Sequence, residues 1–315
     1  MKILSPIDRA DEVGPLSDAG ADEFYGGYVP DAWRKKYSML GSANHRYFPS
    51  AQIKDERELK TIIKSAHALG KKFFLTLNAP YYLEGQYDDL VRDALRFSGV
   101  GVDAFIVSDL GLIVRLRDRV PDMPLHLSTL GTVTNSLSAR FFHGLGILRV
   151  VFPRELTLQE IKGIVRKNPG VEFDSFVMVG KCPNIEGFCS FTHSNQNLIW
   201  PCEEPYKMAA IKSGAGTGRI IRAQKGWSKV NRRRACGLCA VPDLRKAGVG
   251  ALKVVGRGGP TGLKVKVVSA VRDVLELSRL GMEGEPLRRR AKKIYSETFG
   301  DSCNPYVCYF PELWK

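Results

Sequence analysis

Asp55-Glu-Arg-Glu-Leu-Lys-Thr-Ile-Ile-Lys-Ser-Ala-His-Ala-Leu-Gly-Lys-Lys-Phe-Phe-Leu-Thr-Leu77 carries two periods in succession. Leu59, Ile62, Ile63, Ala66 and Leu69 recur at the three-and-four spacing of one helix face, and Gly70 stops the pattern. Lys72 to Leu77 then reads as a short, largely apolar strand. The same alternation extends in both directions. Further β-rich runs stand at Lys2–Leu4, Glu23–Tyr25, Ala104–Val107, Leu125–Leu127, Arg149–Phe152, Phe173–Val179 and Leu252–Val255, eight in all with Lys72–Leu77. Strands alternating with helices predict a parallel sheet, and eight such units predict an α/β fold of the (β/α)8, TIM-like barrel type.

The 315 residues, 44% hydrophobic and 25% charged, have an ordinary globular composition. No apolar run approaches the ~20 residues of a membrane helix. Met1-Lys2-Ile3-Leu4-Ser5-Pro6 lacks the apolar core of a secretory signal, so the expectation is a cytoplasmic protein with reduced thiols. A net charge of +14, from 47 Lys and Arg against 33 Asp and Glu, favours an anionic partner, either RNA or a small carboxylate or phosphate.

Barrel chemistry sits where strands end, which makes the polar residues after each run the candidates. These are Tyr25-Gly26-Gly27, Asn78, Ser108-Asp109, Ser128-Thr129, Arg154-Glu155, Lys181-Cys182 and Gly256-Arg257. Asp109, and Thr134 or Asn135, equally suit helix N-caps. Arg154, Glu155 and Arg257 are the expected catalytic or anion-handling residues, because a guanidinium recognises a carboxylate through two parallel donors.

All seven cysteines, Cys182, Cys189, Cys202, Cys236, Cys239, Cys303 and Cys308, lie in the second part of the chain. Four of them read C-x6-C-x12-C-x36-C from Cys182 to Cys239, and four soft thiolates suit an iron–sulfur cluster or zinc. Three of the four lie in a stretch from Lys181 to Leu238 that interrupts the strand–helix rhythm, and an insertion of that length is usually functional. Its second part, Lys207 to Arg234, holds nine Lys and Arg and no acid, and reads as a solvated basic loop or an anion-binding flap. The expected organisation is a barrel domain over 1–280 with this region, 181–238, inserted, followed by a C-terminal extension over 281–315 that contains a basic helix around Arg288 to Tyr295.

Neither a G-x-S-x-G elbow nor a papain-like or caspase-like cysteine context is present. The five histidines, His45, His67, His126, His143 and His193, form no motif. His67 and His143 belong on helix surfaces. His126 points into a site or packs as a core histidine, and His193 could replace one thiolate ligand.

Five sequence features occur together and in order: Gly20-Ala-Asp-Glu-Phe-Tyr-Gly-Gly27, His126-x-Ser128-Thr129-x4-Thr134-Asn135, Arg149-Val-Val-Phe-Pro-Arg-Glu-Leu-Thr-Leu-Gln-Glu-Ile161, the Cys182-x6-Cys189 pair, and Leu238-Cys239-x-Val-Pro-Asp-Leu-x3-Gly-Val-x3-Lys-Val-Val-Gly-Arg257. From about Met1 to Arg272 the chain resembles the collagenase-like peptidase family U32. The resemblance implies an oxygen-independent hydroxylation protein acting on a quinone precursor, as in ubiquinone synthesis, or on an RNA base, with a prephenate-like anion as oxygen donor. It further implies a 4Fe-4S cluster on Cys182, Cys189, Cys202 and Cys239, zinc being the alternative, and a partner of the same family. A peptidase and a non-catalytic, metal-bearing RNA-binding subunit are the competing readings. Leu130, Val255 and Met178 stand where the family usually has Gln, an acidic residue and His.

Overall fold

The computed structural model describes residues 1–37, 43–45, 49–182, 185–188, 214, 216–228 and 234–314. Eight strands form a closed, all-parallel barrel in chain order: β1 (Lys2–Pro6), β2 (Glu23–Gly26), β3 (Lys72–Leu77), β4 (Ala104–Val107), β5 (Leu125–Leu127), β6 (Ile147–Val151), β7 (Glu172–Met178) and β8 (Ala251–Val254). β8 closes on β1 through Ile3 opposite Leu252. Each strand falls within two residues of its expected position, because strands covered on both faces read as near-continuous apolar runs.

The helices are α1 (Val13–Asp18), α2 (Asp31–Tyr37), α3 (Glu56–Ala68), α4 (Tyr87–Val100), α5 (Leu110–Arg119), α6 (Ser136–Gly144), α7 (Leu158–Lys167), α8 (Thr217–Ser228), α9 (Val241–Ala247), α10 (Thr261–Arg279) and α11 (Gly284–Phe299). Local chemistry sets their starts. Asp55, Asp109 and Asn135 each accept a hydrogen bond from the first turn of α3, α5 and α6, and Thr157 with Glu160 forms a capping box on α7. Asp109 and Asn135 are therefore caps, as their sequence context allowed. α8 corrects one expectation: part of the supposed basic loop is helical. Most of the rest of that segment, including Lys207, Arg232 and Arg233, lies outside the described residues.

The main apolar core lies between the barrel and its helices. A second cluster, Leu4, Tyr25, Phe74, Ala104 and Ile106, belongs to the opposite, inward faces of β1 to β4. Charged residues complete the lumen. The Arg149 guanidinium on β6 donates from Nε to Asp174 Oδ1 on neighbouring β7 at 2.8 Å, and its Nη2 stands 2.7 Å from Glu23 Oε2 on β2. β2 and β6 are not neighbours, so the second pair crosses the interior. All three residues are at most 3% exposed. Burial works against the Glu23 charge, but Arg149 and Lys2 outweigh it and hold that carboxyl below its usual range.

Removing the guanidinium would take from Asp174 its bonded cation and leave Glu23 with Lys2 alone. Arg149→Met is expected to lower unfolding free energy by about 3–5 kcal/mol, read from denaturant midpoints at neutral pH. An unchanged midpoint would mean that the triad contributes nothing to closure.

Candidate active site at the barrel mouth

Above the Arg149 triad, three cations converge towards the C-terminal ends of the strands. Lys253 on β8 projects inward, with its Nζ 4.3 Å from the ring centre of Tyr25 and 5.8 Å from that of Phe176. It is 5% exposed. Burial is the main cause of a pKa pushed down to about 7, and Arg149, Arg257 and Arg154 add to it against the opposing pull of Asp174.

Arg154 follows β6. Its guanidinium lies 4.6 Å over the Phe176 ring and is bound by the Gly180 carbonyl and the Glu186 carboxylate. Glu186 also accepts from the Arg154 amide at 2.8 Å and the Thr129 hydroxyl at 3.2 Å. Glu155 is exposed, its carboxylate accepting from the Glu186 amide. Together Arg154 and Glu155 fasten the described piece of the insertion, residues 185–188, to the rim. The turn that brings Gly180 there places consecutive residues, Val179 and Gly180, at φ +56° and +74°. A branched side chain rarely adopts that region. The Tyr309 hydroxyl binds the carbonyls of both residues, at 2.7 and 2.8 Å.

Arg257 follows β8 and reaches across to the β2 and β3 side, donating to Thr76 Oγ1 at 3.0 Å and Asn44 Oδ1 at 3.3 Å. A Cβ at Gly27 would overlap its Nη1, which gives the second glycine of the Gly26-Gly27 pair a steric reason. The adjoining Gly258 amide donates to Asp8 Oδ2 at 2.6 Å, and Asp8 with Glu12 binds the buried Lys264 of α10. The loop that carries Arg257 is thus held by a buried ion cluster. Asn78 bonds Ser128 Oγ at 3.0 Å on the same rim.

Of the expected thiolates, Cys182 and Cys239 are described, whereas Cys189 and Cys202, like His193, lie outside the described residues. Among the described residues, no three His, Cys, Asp or Glu side chains stand ready to hold a metal ion. Cys239 lines a cavity of about 10 Å³ with Cys236, Cys303 and Cys308, and Cys182 does not line it. His126 is buried edge-on against Phe74, 4.6 Å between ring centres, and burial with Arg149 nearby drives its pKa well down, so it stays neutral. His67 meets Asp103, and His143 meets the Ile147 carbonyl.

Sequence reasoning passed over Lys253, Glu186, Asp8 and Tyr309. Lys253 had a readable signal, a charge in the middle of an apolar strand that the barrel buries on both faces. Glu186 had a weaker one, as the sole acid between Lys181 and Trp200.

Residues 9–308 match the model of peptidase family U32. The tRNA hydroxylation protein P of Escherichia coli K12 is 33% identical over 309 residues, covering 93% of this chain and 64% of that protein. The tRNA hydroxylation protein P2 of Bacillus subtilis is 26% identical over 286 residues, 87% of this chain and 85% of that protein. The 23S rRNA 5-hydroxycytidine C2501 synthase of Escherichia coli K12 is 29% identical, with 67% of this chain and 31% of that protein covered. The chain spans only 38% to 64% of the length of the proteins P of Haemophilus influenzae and Escherichia coli. A solved U32 peptidase shares the fold, with a TM-score of 0.53 at 13% identity over 82% of this chain and 94% of that one.

Two outcomes follow from the mouth geometry. Gly27→Ala should leave the melting temperature nearly unchanged but displace the Arg257 guanidinium, visible as the loss of its contact with Thr76 in a crystal structure; an undisturbed contact would refute the steric role of Gly27. Between pH 7 and 10.5 the folded protein should carry fewer protons on Lys253 than the unfolded chain. Stability then rises with pH across that window, and the burial penalty is complete below about 7. Lys253→Met should flatten that rise in denaturant midpoints measured against pH, and superimposable profiles for variant and parent would contradict it.

Proposed function

Because the chain belongs to peptidase family U32, we propose that it takes part in hydroxylating an RNA base, with the barrel mouth receiving the base or the anion that reacts with it. The observation that carries this reading is the gathering of three cations at the mouth: Lys253 and Arg154 against the rings of Tyr25 and Phe176, and Arg257 close enough to act on the Lys253 charge. Cationic groups gathered at one rim suit phosphate or carboxylate oxygens. Relatives described as tRNA and 23S rRNA hydroxylation proteins favour RNA over a peptide. Lys253, with a pKa near 7, can exchange a proton at neutral pH, which is the property required of a general acid or base.

The finer form of the proposal is an oxygen-independent reaction with an iron–sulfur cluster and a prephenate-like oxygen donor. This form, and the alternative of a quinone-precursor substrate, are supported by the family resemblance alone. The peptidase reading has less beneath it: His67, His126 and His143 are engaged with Asp103, the Phe74 ring and the Ile147 carbonyl.

The test is nucleoside mass spectrometry of total tRNA and rRNA from cells lacking this chain, complemented with the parent or with Arg257→Lys. One oxygen-bearing nucleoside should disappear in the deletion and return with the parent. With Arg257→Lys it should return roughly tenfold less, since an ammonium cannot reproduce a paired charge-assisted contact. Identical nucleoside profiles in deletion and parent would overturn the proposal.

A further inference from the structure

Cys236 and Cys308 face each other across a parallel bridge. It is fixed by the Cys236 amide on the Val307 carbonyl and the Tyr309 amide on the Cys236 carbonyl, both 2.9 Å. Opposed residues on paired backbones stand roughly 5 Å apart with side chains on the same face. Each of these sulfurs accepts an amide hydrogen from two residues further on: Leu238 N to Cys236 Sγ at 3.4 Å, and Phe310 N to Cys308. Cys239 follows Cys236 in the 3-10 turn Leu238–Ala240, and Cys303 precedes Cys308 after the end of α11. All four thiols line the same cavity of about 10 Å³, walled by Lys292 and Trp314.

We propose that Cys236, Cys239, Cys303 and Cys308 bind one thiophilic divalent ion, zinc foremost, which staples the C-terminal segment to the barrel. The pairs C-x2-C and C-x4-C, supplied by two separate segments, have the spacing of tetrahedral structural sites. Amide hydrogens aimed at sulfur are the outer-shell partners such thiolates use. The cavity has room for one ion-sized body. The thiols do not share a coordinating point as they stand, and rotation about each Cα–Cβ bond, between staggered wells, is the movement required. On loading, four S–H bonds break, four protons leave to solvent and four metal–sulfur bonds form, with no change of oxidation state. The resulting dianionic centre meets Lys292 in the cavity wall and Lys181, whose Nζ donates to the Cys308 carbonyl at 2.6 Å. The residue after Cys308 is Tyr309, which binds the Val179-Gly180 turn beneath Arg154, so the staple supports the rim. Cys239 also belongs to the cluster quartet implied by family resemblance, and the two assignments exclude each other at that residue.

The full-length chain, purified anaerobically under reducing conditions, is analysed for zinc, iron and sulfide, and its zinc is exchanged for cobalt(II). The expected result is about one zinc per chain, and a cobalt spectrum with sulfur-to-metal charge transfer and the intense visible bands of tetrahedral coordination. Cys303→Ser and Cys308→Ser should each reduce bound zinc about tenfold or more after dialysis, whereas Cys182→Ser should retain it. Should a serine variant fail to fold, cobalt titration of the parent decides the matter alone. A parent chain that takes up no thiolate-bound cobalt overturns the proposal. So does zinc lost in Cys182→Ser, iron with sulfide lost in Cys303→Ser, or a Cys236–Cys308 disulfide by intact mass.

Discussion

The arrangement depends on one buried guanidinium. Arg149 spans the lumen from β6 to Glu23 on β2 and binds Asp174 on β7, replacing with charge what apolar layers supply in most barrels of this kind. A lone charge could not be held there. Two carboxylates with two cations, Arg149 and Lys2, can, provided each is paired. The consequence is felt one layer higher, where Lys253 forms no ion pair among the described residues and the pull of Asp174 is opposed by Arg149, Arg154 and Arg257. Burial and like charge together bring it close to neutrality. A strongly basic chain thus places three cations at the mouth of a lumen whose lower layer is already paired.

The fold was legible because barrel strands are buried on both faces and the helices between them carry clean amphipathic periods. Asp109 and Asn135 suit helix caps in the sequence and cap α5 and α6 in the structure. The site was legible only in part. Arg154 and Arg257 were readable as residues following strands, but periodicity cannot say that Arg149 on one strand seeks Glu23 on another across the lumen. The charge of Lys253 within an apolar strand was readable, but its surroundings, Phe176, Tyr25 and the arginines, are set only by closure. α8 was read as loop because its Gly-rich start masks the helix.

The C-terminal segment illustrates the same limit. Cys303 and Cys308 had no partners in the sequence pattern, because their neighbours, Cys236 and Cys239, come from the far side of α10 and α11 in the chain. The return of the chain along Cys236 brings all four thiols to one cavity and sets Tyr309 under the turn that holds Arg154. Mouth and cysteine cluster are therefore joined by a few covalent and hydrogen-bonded links, and disturbance at one should be felt at the other.

The central claim, that an RNA base is received at the C-terminal mouth of the barrel, is tested most directly by photocrosslinking. Transfer RNA carrying photoreactive pyrimidines would be irradiated with the full-length chain, and the crosslinked peptides identified by mass spectrometry. The account predicts crosslinks in the peptides that contain Tyr25, Phe176 or Arg257. Crosslinks confined to the outer faces of the helices, with none at the strand ends, would contradict it.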